Sequence, residues 1–209
     1  MFELIIISLR KISNYHLHMY RFKVNLILIV IVSVFLNSCN KDKTEIQPNP
    51  TTLAVGVSYQ GGKIAYIFQS SDPGFVEGQV HGLIAAPNDN VTIEWGCNNK
   101  LINGADGTAL GTGNKNTNDI IAGCGELGTA ARAAADLVLG AYSDWYLPSK
   151  DELNKLYINR ALIGGFCTNY YWSSTESNNV NAWSQHFYNG YQSFNGKYDK
   201  INMRAVRVF

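Results

Sequence analysis

The chain has 209 residues, of which 46% are hydrophobic, and its formal net charge is +1 at pH 7. This length suits one globular domain with a single core plus short additional segments. The near-neutral charge argues against a polyanion-binding surface as the main role, because such surfaces carry clustered Lys and Arg. We therefore expect no nucleic-acid partner.

The first 38 residues have the pattern of a secretory signal. Arg21 and Lys23 precede an apolar run over residues 26–36, and a small residue then stands before Cys39. The run is shorter than the about 20 apolar residues that a membrane span needs. The segment resembles a bacterial lipobox. That resemblance implies that the chain is cut before Cys39 and that this cysteine carries the lipid.

The same segment allows two other interpretations, an uncleaved anchor helix or an ordinary cleavage site beside a chance cysteine. The position and the flanking residues favour the lipoprotein. Several acyl chains on Cys39 would hold the protein on a membrane, since each buried methylene contributes about 0.8 kcal/mol. We expect translation to start at Met19, which begins a signal of ordinary form. The predicted location is the cell envelope, at the outer membrane or cell surface.

Residues 39–54 have the composition of a flexible tether, with two prolines and four charged residues over residues 40–52. Such a segment buries too little apolar surface to fold alone. Residues 55–209 then have the composition of a globular domain. Abundant glycine and asparagine and short predicted elements favour a loop-rich α+β fold over a bundle or a doubly wound sheet.

Three cysteines follow Cys39, and in an oxidising compartment two of the three are expected to pair. Cys97 follows a strand-like segment and Cys124 ends a short helix-like stretch, so we favour a disulfide between these two. Cys167 is left over. The alternative is that all three are small buried hydrophobic residues. The chain has no C-x-x-C motif, so a zinc ribbon is not expected, and we predict neither a metal nor a cofactor.

Local patterns predict three strands and a polar loop in the first half of the domain. A turn at Gly61-Gly62 opens the first strand. Asn118 is expected to cap a short helix that ends at Ala122. The predicted strands are 63–68, 82–85 and 91–95, and the polar loop is 101–118.

Two further helices are predicted in the middle of the domain. The alanine-rich segment 129–139 has Thr129 as its cap and Gly140 as a left-handed stop. After Pro148, Ser149 and Glu152 form a capping box, and an apolar stripe at spacings of three and four follows it.

The last forty residues have β character. In the middle strand, alternate residues point to opposite faces, with Trp183, Gln185 and Phe187 on one and Ser184, His186 and Tyr188 on the other. Asn189-Gly190 is a strong hairpin turn signal. The predicted strands are 170–175, 182–188 and 203–209.

Three segments in this order, 144–153, 171–176 and 204–207, closely resemble the Lcl C-terminal domain family, a bacterial extracellular domain of unknown function. Segments 95–97 and 123–124 are similar to its lipoprotein branch. The motif residues are Trp145, Pro148, Glu152, Trp172, Glu176, Arg204 and Arg207.

The resemblance implies a C-type-lectin-like fold, in which two helices flank a twisted, mostly antiparallel sheet and the chain ends lie close together. Strand 63–68 would then neighbour strand 203–209. It also implies a role in adhesion. The motifs of the calcium-dependent sugar site of true C-type lectins do not occur in this chain.

Aromatic and amide side chains near the hairpin are the candidate ligand residues, because they suit a neutral glycan. An ordinary hairpin would have the same residues. Trp183 could stack on a sugar, whereas Trp145 and Trp172 are expected in the core. The candidate set is His186, Tyr188, Asn189, Tyr191 and Gln192.

Arg204 and Arg207 are expected on opposite faces of the last strand. At least one of them should point inward and pair with a carboxylate, since a buried charge needs a partner. The candidate partners are Glu152 and Glu176.

The chain has few residue patterns that are typical of catalytic sites. Ser174, His186 and Asp199 are present, but there is no G-x-S-x-G elbow. The part after residue 38 has only His81 and His186 and lacks H-E-x-x-H. We therefore expect a protein that binds a glycan or a surface protein and is not an enzyme. The alternatives are a structural envelope or fimbria-like component and an enzyme of the formylglycine-generating type, which uses a cysteine pair.

Overall fold

The computed structural model describes residues 53–209, apart from the side chains of residues 90 and 91. The predicted signal, the lipid site Cys39 and the tether up to residue 52 lie outside these residues, so the division of the chain stays a prediction. Within residues 53–209, every helix is too short or too polar to cross a bilayer.

The described part has an α+β architecture with short elements joined by long loops. The strands are β1 Ser58–Tyr59, β2 Gly62–Ile67, β3 Gly82–Ala85, β4 Asn90–Ile93, β5 Tyr170–Glu176, β6 Asn181–His186, β7 Gln192–Gly196, β8 Ile201–Met203 and β9 Val206–Val208. The helices are α1 Gly113–Gly123, α2 Ala130–Ala135, α3 Lys150–Ile158 and α4 Arg160–Ile163.

The strands form two sheets. The first has the order β1-β2-β3-β9 with antiparallel neighbours, and the second has the order β4-β8-β5-β6-β7. The pair β5–β8 is parallel, and the other pairs of the second sheet are antiparallel. The predicted fold class, mostly antiparallel and loop-rich, is confirmed.

The predicted last strand, 203–209, is wrong in one respect. The chain leaves the second sheet after Met203 and enters the first sheet at Val206, so Arg204 and Ala205 join two strands. The expected neighbourhood of 63–68 and 203–209 also needs correction, because β3 lies between β2 and β9. The final residue does return close to β3, since Gly82 and Phe209 exchange two backbone hydrogen bonds.

Two apolar clusters make up the core. Tyr171 and Trp172 are neighbours in β5 and are both fully buried, so they point to opposite faces of the second sheet. Trp172 belongs to the cluster that contains Trp95 and Trp145. Tyr171 belongs to the cluster that contains Leu153 of α3 and Phe187. Apolar packing thus covers both faces around β5.

Helix α1 begins inside the stretch predicted as a loop, and Asn118 is an interior residue and not its cap. Tertiary contacts satisfy the polar side chains that made this stretch look like a loop. Thr117 Oγ1 donates to Gly113 O and accepts from Leu147 N at 3.1 Å, and Asn116 Nδ2 donates to Gly107 O at 2.6 Å. Both residues are buried.

Helix α2 has the predicted cap but is shorter than predicted. Thr129 accepts a hydrogen bond from Arg132 N, and the helix ends before Asp136. Gly140 has a positive φ of 62°, but it stands in a turn in which Leu139 and Tyr142 pair with each other. Gly140 therefore allows the backbone conformation of that turn. In the sequence, a glycine in such a turn looks the same as a glycine that ends a helix.

Helix α3 confirms the predicted capping box. Ser149 Oγ accepts from Glu152 N at 3.3 Å, and Ser149 N donates to Glu152 Oε2 at 2.8 Å. The Ser149 hydroxyl also donates to Ala109 O at 2.9 Å, so the cap ties the helix to the loop before α1.

Candidate functional site

The tryptophans of the motif lie in the core, as expected. Trp145 is 2% exposed and Trp172 is fully buried. Each indole N–H donates to a backbone carbonyl, Trp145 to Tyr142 O and Trp172 to Ile93 O. Pro148 is buried beside them, and its carbonyl accepts from Ser174 N at 2.7 Å. These rings pack against neighbouring residues and offer no open face to a sugar.

Glu152 is a fully buried carboxylate that holds backbone groups and does not pair with an arginine, contrary to expectation. One oxygen accepts from Ser149 N, and the other accepts from Gly111 N at 2.9 Å and from the Tyr146 hydroxyl at 3.3 Å. Burial raises the pKa of Glu152, and it raises the pKa of Tyr146 well above its usual value. Glu152 thus joins the loop before α1 to helix α3.

Glu176 pairs with a lysine and also not with an arginine. Its carboxylate binds the ammonium of Lys197 and accepts from Ile102 N, and both side chains of the pair are buried. Lys197 donates further to Lys100 O at 2.7 Å and lies over the Trp95 ring. A buried ion pair with this many hydrogen bonds fixes the loop after β4 against β5.

Arg204 and Arg207 both point inward, and their partners are aspartates. Arg204 Nε donates to Asp89 Oδ1 at 2.7 Å, and its other nitrogens reach Ala86 O and Gly165 O. Arg207 makes a two-pronged contact with Asp144, at 2.6 and 2.9 Å. The predicted partners were wrong because the chain changes sheets at Arg204, which turns the two arginines toward different loops.

The structure joins Cys97 and Cys124 in a disulfide with a Cα–Cα distance of 5.8 Å, the pairing that the sequence favoured. Cys167 is free and exposed. The carboxylate of Glu126 lies near both sulfur atoms and accepts from Cys97 N at 2.7 Å. Because the disulfide leaves no thiolate at this position, the group does not have the donors of a zinc site.

The predicted ligand residues lie on the hairpin of β6 and β7, but the structure does not bring all of them together. Tyr188 is 72% exposed and Tyr191 is 62% exposed. The His186 ring packs edge-on against Tyr170, with centroids 4.6 Å apart, and lies 6.4 Å from Tyr188. Asn189 Oδ1 accepts from Tyr191 N and so stabilises the turn.

Gln192 is the residue of this set that lies on the other face. The register pairs Gln185 with Gln192, so their side chains share one face of the sheet, while His186 and Tyr191 point to the opposite face. Gln192 Nε2 donates to Lys150 O at 3.2 Å, at the start of helix α3. Helix α3 therefore borders the face that carries Gln192.

That second face carries aromatic side chains that were not included in the predicted set. Trp183 pairs with Phe194 in the strand register, and the two rings are perpendicular with centroids 5.9 Å apart. The Lys150 ammonium lies 3.7 Å from the centre of the Trp183 ring. Tyr198, two residues after the end of β7, is 63% exposed, and Phe194 is 54% exposed. The alternation of Gln192, Phe194 and Gly196 was the sequence signal.

Exposed aromatic rings are concentrated in one segment. Within residues 53–209, the four exposed aromatic side chains all lie between positions 188 and 198. They are Tyr188, Tyr191, Phe194 and Tyr198. The other aromatic residues of the described part are buried or half-buried. The hairpin is thus the one place in the described part where rings meet water over most of their surface.

A cleft of about 390 Å³ opens behind the hairpin turn, beside helix α4. Phe166 and Phe187 line it together with Arg160 and the exposed Cys167. The phenyl rings belong to the second apolar cluster, with centroids 4.7 Å apart.

Ser174, His186 and Asp199, the residues considered for a Ser-His-Asp hydrolase, each contact different neighbours. Ser174 is fully buried, and its hydroxyl accepts from Asn116 Nδ2 at 3.3 Å. His186 contacts tyrosine rings, and Asp199 accepts from Gly196 N at 3.0 Å.

The domain is thus an α+β module with buried ion pairs and one exposed aromatic hairpin. A model of the Lcl C-terminal domain family matches residues 88–207, and the chain belongs to this family. The match spans the motif segments, both disulfide cysteines and the whole hairpin. A comparison with curated proteins finds no match.

Proposed function

We propose that this chain is a lipid-anchored binding protein of the cell envelope that recognises a glycan or a protein on a surface. The observation that carries the proposal is the concentration of exposed aromatic rings between residues 188 and 198. Each such ring presents a large apolar surface to water, and large exposed apolar patches mark interaction sites.

The contrast with the rest of the domain supports a binding role for the hairpin. Elsewhere in the described residues, aromatic side chains fill the two core clusters or pack half-buried against them. Tyrosine suits recognition because its ring is apolar and its hydroxyl can exchange hydrogen bonds with a ligand. The hydroxyls of Tyr188 and Tyr191 have no hydrogen-bond partner within residues 53–209 and are free to do so.

The lipid anchor in this proposal is supported by the lipobox-like segment before Cys39 and by the polar tether after it. A domain held in this way would present its hairpin from a membrane surface. Binding is preferred over formylglycine-type catalysis because Cys97 and Cys124, the pair that such chemistry would use, are only 6% and 2% exposed. They also form a disulfide with each other. A buried disulfide offers a substrate no reactive thiolate.

The test uses the full chain, extracted from membranes in detergent and applied to a glycan array and to immobilised envelope proteins. A fourfold variant with alanine at all of the exposed rings, Tyr188, Tyr191, Phe194 and Tyr198, is expected to lose binding. The matched control is Leu127→Ala, which removes an apolar side chain that is 83% exposed and lies outside the hairpin. Binding that survives the fourfold variant, or no binding by the unaltered chain, contradicts the proposal and favours a structural envelope component.

The anchor is tested on the same preparation. The unaltered chain should partition into the detergent phase and yield an acylated amino-terminal peptide in mass spectrometry. Cys39→Ser should move the protein to the aqueous phase. An unmodified thiol at Cys39 in membrane-free protein would refute the anchoring half of the proposal.

A further inference from the structure

We propose that one face of the hairpin binds a neutral oligosaccharide through three aromatic rings, those of Trp183, Phe194 and Tyr198. This face is called the hairpin platform. The inference rests on the proposed function and names its ligand class and its residues. It differs from the predicted set, because Tyr191 points to the opposite face of the same two strands.

Strand register places the three rings side by side. Trp183 and Phe194 are directly paired, and Asn181 pairs with Gly196 one step further along the same face. Gly196 has no side chain, and a Cβ there would lie 2.9 Å from Cε1 of Tyr198. The Tyr198 ring therefore occupies the space above Gly196. Positions 194 and 196 are about 7 Å apart along the strand, so the rings form a continuous strip.

Polar groups border this strip and can form hydrogen bonds with a sugar that stacks on the rings. The side-chain amide of Asn181 makes no hydrogen bond with any described residue and is partly exposed. An amide offers both donors and an acceptor, which matches neighbouring sugar hydroxyls. Lys150 places an ammonium group over one face of the Trp183 ring, and Gln192 lies at the other end of the strip. Apolar rings with a free amide at their edge fit the face of a pyranose, which is apolar in the centre and hydroxylated at the rim.

The size of the platform favours a small ligand over a protein. An aromatic side chain buries about 150–250 Å² when fully covered, so Phe194 and Tyr198, at 54% and 63% exposure, offer roughly 250 Å² together. A stable protein interface needs about 800 Å² from each partner. A few sugar units, in contrast, can be covered by a strip of this area.

The charges around the platform favour a neutral sugar. Lys150 contributes one positive charge, and it has no carboxylate within 4 Å among the described residues. The Asp199 carboxylate, bonded to Gly196 N, stands at the opposite end of the strip, and the exposed Asp151 follows Lys150 in the chain. An acidic sugar would meet the Asp199 carboxylate, and among residues 53–209 no arginine cluster on this face compensates for it.

The experiment measures affinity of the full chain in detergent for neutral hexose oligosaccharides of several linkages and for an oligouronate of equal length. Calorimetry gives the affinity, and quenching of tryptophan fluorescence reports on Trp183. Phe194→Ala and Tyr198→Ala should each weaken binding of the neutral oligosaccharide about tenfold. Both side chains are more than half exposed, so unchanged thermal unfolding is expected and checks the fold.

Tyr188→Ala with Tyr191→Ala is the matched control, since it removes two exposed rings of the same hairpin outside the platform. Affinity that is lost in the platform variants and kept in this control supports the inference. The reverse result overturns the inference and leaves the proposed function standing. Preference for the oligouronate overturns the neutral class of ligand. Binding to no oligosaccharide of either kind overturns the inference, whereas the proposed function falls only if the array and the envelope proteins are also negative.

Discussion

Two regions of the domain differ in where they place side chains that are usually found elsewhere. Around the buried ion pairs, charged side chains lie inside the protein, with Lys197 bound to Glu176 and Arg204 bound to Asp89. On the hairpin of β6 and β7, aromatic side chains lie outside it, with Phe194 and Tyr198 more than half exposed. The first region buries charge away from water, and the second exposes rings to water.

This comparison separates structural residues from candidate functional ones. A buried charge without its partner is very unfavourable, so each of the inward charges fixes the position of the loop that supplies its partner. An exposed ring, in contrast, does not hold another segment of the fold in place. The motif residues therefore determine the architecture, and the hairpin is available for a ligand. This division predicts that substitutions in the two regions differ in their effect on the free energy of unfolding.

The largest effect is expected for Lys197→Met. The substitution keeps an apolar side chain of similar length but leaves the Glu176 carboxylate buried without a cation, which costs about 3–5 kcal/mol. The measurement is urea unfolding followed by tryptophan fluorescence. The double variant Lys197→Met, Glu176→Gln removes the uncompensated charge and should recover most of this loss. Equal destabilisation in the single and double variants would show that the charge is not responsible.

A smaller effect is expected for Ser149→Ala at the start of α3. The change removes the oxygen that accepts from Glu152 N and the hydroxyl that donates to Ala109 O, and loss of a helix cap costs about 1 kcal/mol. The matched control is Ser177→Ala at an exposed position, which should stay within about 0.5 kcal/mol of the unaltered chain. A Ser149 variant as stable as this control contradicts the role of the capping box.

The smallest effect concerns the pair Asp144–Arg207, because the Asp144 side chain is 56% exposed and solvent screens the interaction. The hydrogen-bonded Arg207 guanidinium lowers the pKa of Asp144 in the folded protein. A carboxylate with a lowered folded-state pKa stabilises the fold above the pKa of the unfolded chain, about 4, and loses that contribution as the pH falls through the folded value.

Asp144→Asn should therefore lower the melting temperature most above about pH 4, and the gap should narrow at lower pH. The measurement is the melting temperature of both proteins from neutral to acid pH at low salt. A gap that stays constant, or widens in acid, would rule out ionisation of Asp144 as its origin.

Local pattern was enough for several features of the fold. The capping box at Ser149 and Glu152 was predicted because its two hydrogen bonds lie within four residues. Strand β3 has the predicted bounds, and the core placement of Trp145 and Trp172 follows from their size and apolarity. The hairpin of β6 and β7 was predicted because Asn189-Gly190 marks its turn, whereas the five candidate ligand residues on it stay a prediction.

Other features needed contacts between distant parts of the chain. Helix α1 starts before Asn118 because the buried Asn116 and Thr117 find partners up to 58 residues away. The hairpin platform depends on β7 register and on the space above Gly196, which the spacing of residues does not reveal.

The sequence by itself determined the fold class, the family motifs, the cap of α3, the position of the hairpin and the favoured cysteine pair, because these depend on neighbours in the chain or on composition. The tertiary structure alone decided which carboxylate each buried cation meets. Asp89 and Arg204 are 115 positions apart, and Asp144 and Arg207 are 63 apart. Burial demands a partner for each charge, but the path of the chain through two sheets selects it.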